Sequence, residues 1–546
     1  MRTTIGMSII AIALLSSCGG SNDENKPRTE NNPFFSEYNT PFGVPPFGLI
    51  KPEHYKPAFE EGINQILAEI EAITTSEETP DFKNTIEPYS YCGDLLDKVS
   101  SVFYNMLSTN TNDTMQKLAA EISPMMAKQK DDVLLNARLF ERIKTVFDKK
   151  AEMGLNAEQL RLVEEIYKDF VRGGALLAAE DQEKLRNINE ELSLLSLKFG
   201  DNVLGETNSF KLWIDNTKDL EGIPQGVIDA AALAAKENGQ DGKWLFNLQY
   251  PSYTPFMTYC ANRDLRKKMF EAYSHKGNNG SEFDNNQKIS KLVSLRYLKA
   301  RLLGFDSYAD FVVDRNMSGK PEKVYELLAQ VWKPAKARAI GEAEEMQKLI
   351  AREGGKFSLE PWDWFYYAEK VRKEKYDLDE EMLRPYFKLE NVRNGVFDVA
   401  NKLYGITFLQ IKDIPVFHPD AMAFEVKESN GDHLGVLYMD FFPRASKRGG
   451  AWCTSFREQH RKDGKAITPV VSVVCNFTPP SGDKPSLLSY EEVETLFHEF
   501  GHALHSLFCN ITYPRLGNVP RDFVELPSQV MEHWAARPEV LKQFAR

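Results

Sequence analysis

The chain has 546 residues, of which 42% are hydrophobic and 27% charged, and its 67 Lys and Arg against 79 Asp and Glu give a net charge of −12. These values are typical of a folded protein of more than one packed region, and they exclude disordered, collagen-like and membrane-embedded chains. The acidic balance argues against nucleic acid as a partner, because such binding depends on clustered Lys and Arg.

The first residues resemble the signal peptide of a bacterial lipoprotein. An apolar run from Ile5 to Leu15 is shorter than the roughly 20 residues that span a bilayer, and it leads into Leu15-Ser16-Ser17-Cys18, which resembles a lipobox. In that pattern the cysteine becomes the lipid-bearing N-terminus. We therefore expect a signal peptide over 1–18, a solvated tether over 19–32, and a protein held in the bacterial cell envelope, periplasm-facing or in the outer membrane, only by the lipid on Cys18.

Helical patterns dominate the rest of the chain. Residues 32–55 carry five prolines and several phenylalanines, which predicts an extended segment held on a surface by its aromatic rings. Helical patterns cover 56–205 and 255–404. The clearest is an apolar stripe at spacings of three and four, predicted to be buried, at Leu185, Ile188, Leu192, Leu195 and Phe199.

Short stretches rich in β-branched and aromatic residues predict a small sheet within this helical protein. They lie at 210–214, 244–248, 435–440 and 468–477. Between the last two, a basic group of Arg444, Lys447 and Arg448 beside Gly449 and Gly450 favours a solvated flexible loop over a ligand-gripping site. The five cysteines after Cys18 form no CxxC pair, so we expect reduced, mostly buried thiols and no thiolate metal site.

The segment HEFGH, residues 498–502, is the strongest chemical signal. Ser489 and Glu492 fit a capping box, which predicts a helix that begins there and carries this segment. Residues four apart share one helix face, so His498 and His502 can bind one cation, and Glu499 beside them is suited to act as a general base. A random order of this composition would give about 0.02 such segments, which disfavours the alternative of two ordinary histidines and a surface glutamate.

A second acidic helix is predicted 23 residues later. Two imidazoles leave zinc short of the three protein ligands of a catalytic site, and Glu525 can supply the third after a loop with Pro514, Gly517 and Pro520. Four polar residues would form one stripe of that helix: Asp522, Glu525, Gln529 and Glu532. Asp522 and Glu532 either hold the imidazole N–H groups or belong to a solvated acidic face.

Together, HEFGHALH and the later segment RDFVELPSQVMEHW resemble the M3 family of zinc metallopeptidases, the thimet oligopeptidase-like enzymes, and in particular its bacterial peptidyl-dipeptidases. The N-terminal segment NTPFGVPPFGLIKPEHYKPAFEEG supports the same resemblance. Carried over residue by residue, it implies one zinc ion held by His498, His502 and Glu525, with Glu499 as the catalytic base. It leaves His505 to packing or to a supporting role behind the ligands.

The family resemblance also implies a fold and a substrate class. The fold is mainly α, a gluzincin-like helical ellipsoid with a deep channel and a small β-sheet next to the HExxH helix. Such a channel admits short unstructured peptides, and the strand that ends at Cys475-Asn476-Phe477 would be the sheet edge that pairs with them. We divide the chain into an N-terminal mostly helical region, 33–250, and a catalytic region, 251–546, and expect a monomer.

The expected activity is release of C-terminal dipeptides. Two alternatives stay open: an oligopeptidase that cuts internal bonds, and an inactive lipoprotein that binds zinc or peptide. The second alternative arises because the family continues well beyond the point where this chain stops, 21 residues after Glu525, through a tyrosine-rich loop that stabilises the tetrahedral intermediate. We therefore expect the chain to be truncated at its C-terminus.

Overall fold

A computed structural model of the chain describes residues 31–480 and 484–546. The signal peptide and Cys18 lie outside the described residues, as does most of the tether. The last residue of the predicted tether, Asn32, belongs to the folded part of the chain. It is buried, and its side-chain amide donates to the carbonyl of His54 at 2.9 Å. An aromatic ring of the next segment packs on the rest of the chain, as predicted: the ring of Phe47 lies against those of Tyr438 and Phe456. Residues 52–55 of the predicted extended segment belong instead to a helix that begins at Pro52.

Helices form most of the described chain, which confirms the mainly α class. Their bounds are α1 Pro52–Thr74, α2 Glu87–Ser90, α3 Asp94–Thr109, α4 Asp113–Leu134, α5 Ala137–Lys149, α6 Ala157–Arg172, α7 Ala179–Ser209, α8 Gln225–Glu237, α9 Tyr250–Tyr259, α10 Arg263–Ser274, α11 Asn286–Leu302, α12 Tyr308–Val313, α13 Pro321–Arg352, α14 Trp364–Tyr376, α15 Leu389–Tyr404, α16 Tyr490–Leu507, α17 Glu525–Ala535 and α18 Pro538–Phe544. None of the helices in these described ranges is long and apolar enough to cross a membrane.

The strands form one five-stranded sheet and two separate antiparallel pairs of short strands. Their bounds are β1 Leu212–Ile214, β2 Trp244–Phe246, β3 Thr407–Ile411, β4 Met422–Lys427, β5 His433–Asp440, β6 Trp452–Arg457, β7 His460–Lys462, β8 Lys465–Ile467 and β9 Val470–Val474. The large sheet has the order β3-β4-β5-β9-β6, in which β5 and β9 are parallel and the other neighbours antiparallel. The pairs β1-β2 and β7-β8 stand apart from it.

The strand order corrects the prediction about the sheet edge. The stretch 468–477 forms β9, which ends at Val474 and lies inside the sheet between β5 and β6. Its apolar character reflects this position, because a strand covered on both faces and both edges is apolar throughout. The edge strand on this side is β6, residues Trp452–Arg457, which the sequence pattern did not identify.

The two faces of the sheet are buried in different hydrophobic clusters. Val436 and Tyr438 of β5 pack into a cluster with the N-terminal helices, whereas Leu437 and Met439 pack with α15, α16 and α18. This alternation follows from the two-residue period of a strand. The sheet therefore joins the N-terminal helices to the helices that carry the HEFGH segment, and α16 lies against β6 and β9 as expected.

The predicted boundary between residues 250 and 251 falls at the start of α9. Tyr253, Phe256 and Met257 of that helix share one hydrophobic cluster with Leu212 and Phe246, so the boundary does not separate two cores.

The predicted stripe on α7 is less buried than expected. Only Leu185 is fully buried, and the other four members are half-buried.

The prediction of a solvated loop at the basic group is wrong. Lys447 is 3% exposed, and its ammonium group lies 3.0 Å from the buried carboxylate of Asp440. The guanidinium of Arg444 donates to the same carboxylate at 2.9 and 2.8 Å and also to the carbonyl of Thr109 on α3. The basic group therefore ties α3 to the end of β5, and burial lowers the pKa of Lys447 to about 8.

Cysteines in the described ranges are free, as predicted: Cys92, Cys260 and Cys475 are buried, and Cys453 and Cys509 are half-buried.

Candidate metal centre

The helix α16 begins at the predicted capping box. The hydroxyl of Ser489 accepts from the backbone N–H of Glu492 at 3.1 Å, and the Glu492 carboxylate accepts from the N–H of Ser489 at 2.7 Å. Glu492 also accepts from the N–H and hydroxyl of Thr478. These bonds satisfy donors that a helix start leaves open, and they fix the first turn of the helix that carries HEFGH.

The lack of a Cβ atom at Gly501 is the reason why α17 can lie so close to α16. A Cβ at Gly501 would lie 2.5 Å from the Cα of Ser528 and 2.6 Å from the carbonyl oxygen of Pro527. Real Cβ atoms do not approach the backbone to this distance, so the contact requires glycine. The close approach brings the first residue of α17, Glu525, opposite the two histidines.

Three side chains converge between these helices. The Nε2 atoms of His498 and His502 lie 3.2 and 3.0 Å from one oxygen, Oε2, of Glu525. Two Zn–N bonds and a Zn–O bond of about 2.0–2.1 Å in a tetrahedral arrangement place the ligand atoms about 3.3 Å apart. The donor atoms present here therefore fit a zinc ion, and they are the only group of three or more His, Cys, Asp or Glu side chains within metal-binding distance in the described ranges.

Two further residues of α17 form hydrogen bonds to the side chains of His498 and Glu525. The Nδ1 atom of His498 lies 2.5 Å from Oε1 of Glu532, which orients the ring so that Nε2 points at Glu525. The hydroxyl of Ser528 donates to Oε2 of Glu525 at 2.9 Å. The sequence stripe identified Glu532, but it missed Ser528 because a serine on an acidic face gives no signal beyond its spacing of three from Glu525.

Glu499, the predicted base, is buried beside the two histidines in the sequence of α16. Its side chain is 6% exposed, and its Oε2 atom has no hydrogen-bond partner among the described residues. Burial raises the pKa of the carboxyl to about 7, while His498 lowers it and Glu525 raises it further. A carboxyl group with a pKa near neutrality can both accept and return a proton under physiological conditions.

The same environment affects two of the converging groups. Burial lowers the pKa of His502, which favours the neutral imidazole that a metal ion requires. Burial raises the pKa of Glu525, but the bond from Ser528 and the two nearby imidazoles outweigh it, and the pKa lies below its ordinary value. Both groups are therefore held in the protonation state of a metal ligand.

Three other predicted residues lie outside the converging group. Asp522 precedes the first turn of α17 instead of lying on it, and its carboxylate accepts from the backbone N–H groups of Met317 and Ser318. Gln529 is exposed. The ring of His505 packs edge-on against Phe523, with centroids 6.3 Å apart, in agreement with the packing alternative.

The edge strand β6 lies beside α16 and is partly covered. Ser101 and Asn105 of α3 donate to the carbonyls of Phe456 and Ser455 at 2.9 and 3.1 Å. No comparable side-chain bond reaches the backbone of Trp452, Cys453 or Thr454 from the rest of the described chain. Residues 452–454, which lack such a bond, form the open part of this edge.

Comparisons with known proteins support the resemblance seen in the sequence. The profile of Peptidase family M3 matches residues 256–546. The dipeptidyl carboxypeptidase of Escherichia coli (strain K12) is 41% identical over 521 residues, 95% of this chain and 76% of that protein. Oligopeptidase A of the same strain is 34% identical over 510 residues, 92% of this chain and 75% of that protein.

Among solved structures, "PZ PEPTIDASE A with inhibitor 2" has a TM-score of 0.49 and 15% identity, and the match covers 89% of this chain and 69% of that one. The family profile spans more than half of this chain, and the similarity to the dipeptidyl carboxypeptidase extends over nearly all of it. The chain belongs to peptidase family M3.

Proposed function

We propose that this metallopeptidase binds one zinc ion through His498, His502 and Glu525 and releases dipeptides from the C-termini of short unstructured peptides. The observation that carries the proposal is the convergence of both Nε2 atoms on one oxygen of Glu525, at 3.2 and 3.0 Å. The close approach of α17 at Gly501 makes this convergence possible.

Each nearby residue has a defined part in the reaction. A zinc ion in this position supplies a Lewis acid that polarises the peptide carbonyl and acidifies water. Glu499 takes the proton from the attacking water and passes it to the leaving amine, for which a pKa of about 7 suits it. Glu532 holds the ring of His498 in place, and Ser528 holds the carboxylate of Glu525.

The substrate backbone is proposed to join the sheet at β6. An extended peptide can add to an exposed edge strand, where main-chain hydrogen bonds hold any sequence. The open part of the edge, residues 452–454, belongs to a strand that contacts α16. A peptide held there is next to the helix that carries His498 and Glu499. The deep channel stays a prediction.

Release of C-terminal dipeptides is favoured over internal cleavage by the comparisons. The relative at 41% identity is named a dipeptidyl carboxypeptidase, and the oligopeptidase A relative is less similar at 34%. The two activities differ in their need for a free C-terminal carboxylate. A peptide of about ten residues should therefore be shortened by two residues at a time when its C-terminus is free and resist cleavage when it is amidated.

The metal assignment is tested by a matched pair of histidine substitutions. His502→Ala should abolish zinc binding and peptide cleavage, whereas His433→Ala should retain one zinc per chain. His433 is a suitable control because it is also half-buried and paired with a carboxylate, Glu425 at 3.3 Å, but lies on β5. Elemental analysis that finds equal zinc in the two variants would contradict the assignment.

We also propose that lipid on Cys18 anchors the protein in a bacterial envelope. The support is the lipobox-like sequence at Leu15-Ser16-Ser17-Cys18. The Cys18→Ala variant should move from the membrane pellet to the soluble fraction, while Cys509→Ala should stay in the pellet. A soluble Cys509→Ala variant, or a non-aggregated Cys18→Ala variant that still pellets, would argue against the anchor.

A further inference from the structure

The position of Glu525 depends on the loop before it. Glu525 is the first residue of α17, and its side chain is 48% exposed. The rest of α17 therefore fixes the position of Glu525 only from its C-terminal side. The preceding residues, 517–524, form no regular helix or strand, and what holds them decides where the carboxylate lies.

Asp522 attaches this loop to a distant part of the chain. Its Oδ1 atom accepts from the backbone N–H of Met317 and its Oδ2 atom from that of Ser318, both at 2.9 Å. The neighbouring N–H of Arg521 donates to the side-chain oxygen of Asn316 at 3.2 Å. Hydrogen bonds to an ionised acceptor are about twice as strong as neutral ones, and the use of both oxygens fixes the orientation of the carboxylate.

The segment that Asp522 binds is itself held on α6. Arg315 forms ion pairs with Glu165 and Asp169 of that helix. Next to it, the guanidinium of Arg172 donates to the carboxylate of Asp314 at 2.6 Å and to the carbonyl of Phe311 at 2.7 Å. The short connection between α12 and α13 is thus attached to the C-terminal half of α6.

The other end of α6 binds the beginning of the connection between α16 and α17. The Glu158 carboxylate accepts from the N–H and the hydroxyl of Thr512 at 2.6 and 2.8 Å, and the amide of Gln159 donates to the hydroxyl of Tyr513 at 3.3 Å. The helix between these contacts is anchored in the core by Leu162, Val163, Ile166 and Phe170, all of which are 0–1% exposed. One helix that is anchored in the core therefore supports both ends of the connection between α16 and α17.

We propose that Asp522 is a positioning residue for the metal site, which holds Glu525 opposite the histidines by attaching the loop to residues 317 and 318 and, through Arg315, to α6. This inference rests on the proposed zinc site. Asp522 lies three residues from Glu525, touches neither histidine, and is exposed, so its removal leaves no buried group unpaired. Residues that orient metal ligands affect metal affinity by about 10- to 100-fold when they are replaced.

The test measures zinc affinity by competition with a fluorescent zinc chelator. Asp522→Ala should raise the zinc dissociation constant by about 10- to 100-fold. Asp522→Asn should raise it less, because the amide oxygen can still accept one of the two N–H groups. Arg315→Ala should act in the same direction, because it releases the bound segment from α6.

The control is Ser307→Ala. Ser307 caps α12 by accepting from the N–H of Asp310 at 3.1 Å, so its loss weakens the same part of the fold without touching residues 316–318. Its zinc dissociation constant should stay within about twofold of that of the unaltered chain even if its melting temperature falls. Far-UV circular dichroism of each variant verifies that the helices have formed.

The outcomes separate this inference from the proposed function. If the unaltered chain binds no zinc, the metal site and the role of Asp522 are both wrong. If the unaltered chain binds zinc and Glu525→Ala does not, but Asp522→Ala and Asp522→Asn bind it with unchanged affinity, only the role of Asp522 is refuted. Equal loss of affinity in Ser307→Ala and Asp522→Ala would likewise refute it, because the effect would then be one of general stability.

Discussion

The buried carboxyl of Glu499 makes the stability of the metal-free protein depend on pH. Burial raises its pKa from the ordinary value of 4.5 to about 7 in the folded chain. A group whose pKa is raised on folding binds its proton more tightly in the folded state. The folded state is therefore favoured at low pH, and stability is lost as the pH rises from about 4.5 to about 7.

The size of this effect follows from the two pKa values. The full difference corresponds to about 3 kcal/mol. Between pH 5 and pH 8 the carboxyl passes from protonated to ionised in the folded chain, while it is mostly ionised in the unfolded chain throughout. The free energy of unfolding should therefore fall by about 2–3 kcal/mol from this group alone. Glu499→Gln cannot titrate and should lack this contribution.

The assay is urea unfolding of chelator-treated protein at pH 5 and pH 8. The free energy of unfolding falls between pH 5 and pH 8, and this decrease should be about 2–3 kcal/mol smaller in Glu499→Gln than in the unaltered chain. Glu494→Gln is the control, since Glu494 is an exposed carboxylate on the same helix, and it should leave the decrease unchanged. An equal decrease in all three proteins would refute the reasoning about the buried carboxyl.

Three further predictions concern the same helix pair. Glu499→Gln should retain zinc but lower the rate of peptide cleavage by about 10²-fold or more in a steady-state assay, and an unchanged rate would exclude it as the base. Gly501→Ala should lower the free energy of unfolding in urea by about 1–3 kcal/mol, because the added Cβ would lie 2.5 Å from the Cα of Ser528. An unchanged urea midpoint of unfolding would show that the two helices can move apart at no cost in free energy. Glu532→Ala should raise the zinc dissociation constant by about 10- to 100-fold through the loosened ring of His498, and a chelator competition that finds the constant unchanged would contradict this.

The part of the site that lies within one helix could be predicted from the sequence. The capping box at Ser489 fixes where α16 begins, and the spacing of four between His498 and His502 places both rings on one face. These features depend on contacts within a few residues, which the helical period determines. The acidic stripe after the loop and the resemblance to the M3 family both indicated Glu525 as the third ligand, and the structure brings the three side chains together.

Features that depend on distant contacts were missed or misread. Asp522 has the spacing of a helical stripe, but it lies before α17 and binds Met317 and Ser318, which are more than 200 residues away. Lys447 has the sequence surroundings of a surface loop, but it is buried where Arg444 of the same segment donates to the carbonyl of Thr109, more than 300 residues away. Neither partner is indicated by the residues next to it in the chain.

The sequence by itself determined the fold class, the helix that carries HEFGH and the residue types of the metal site, because periodicity, capping and composition act locally. Tertiary structure alone decided that β6 and not β9 is the edge strand, and that Gly501 allows α17 to approach α16. Strand order and the distance between helices come from pairing and packing between residues far apart in the chain. The apolar pattern of β9 predicts a strand, but it does not show which strands lie beside it, and that order decides which strand is the edge.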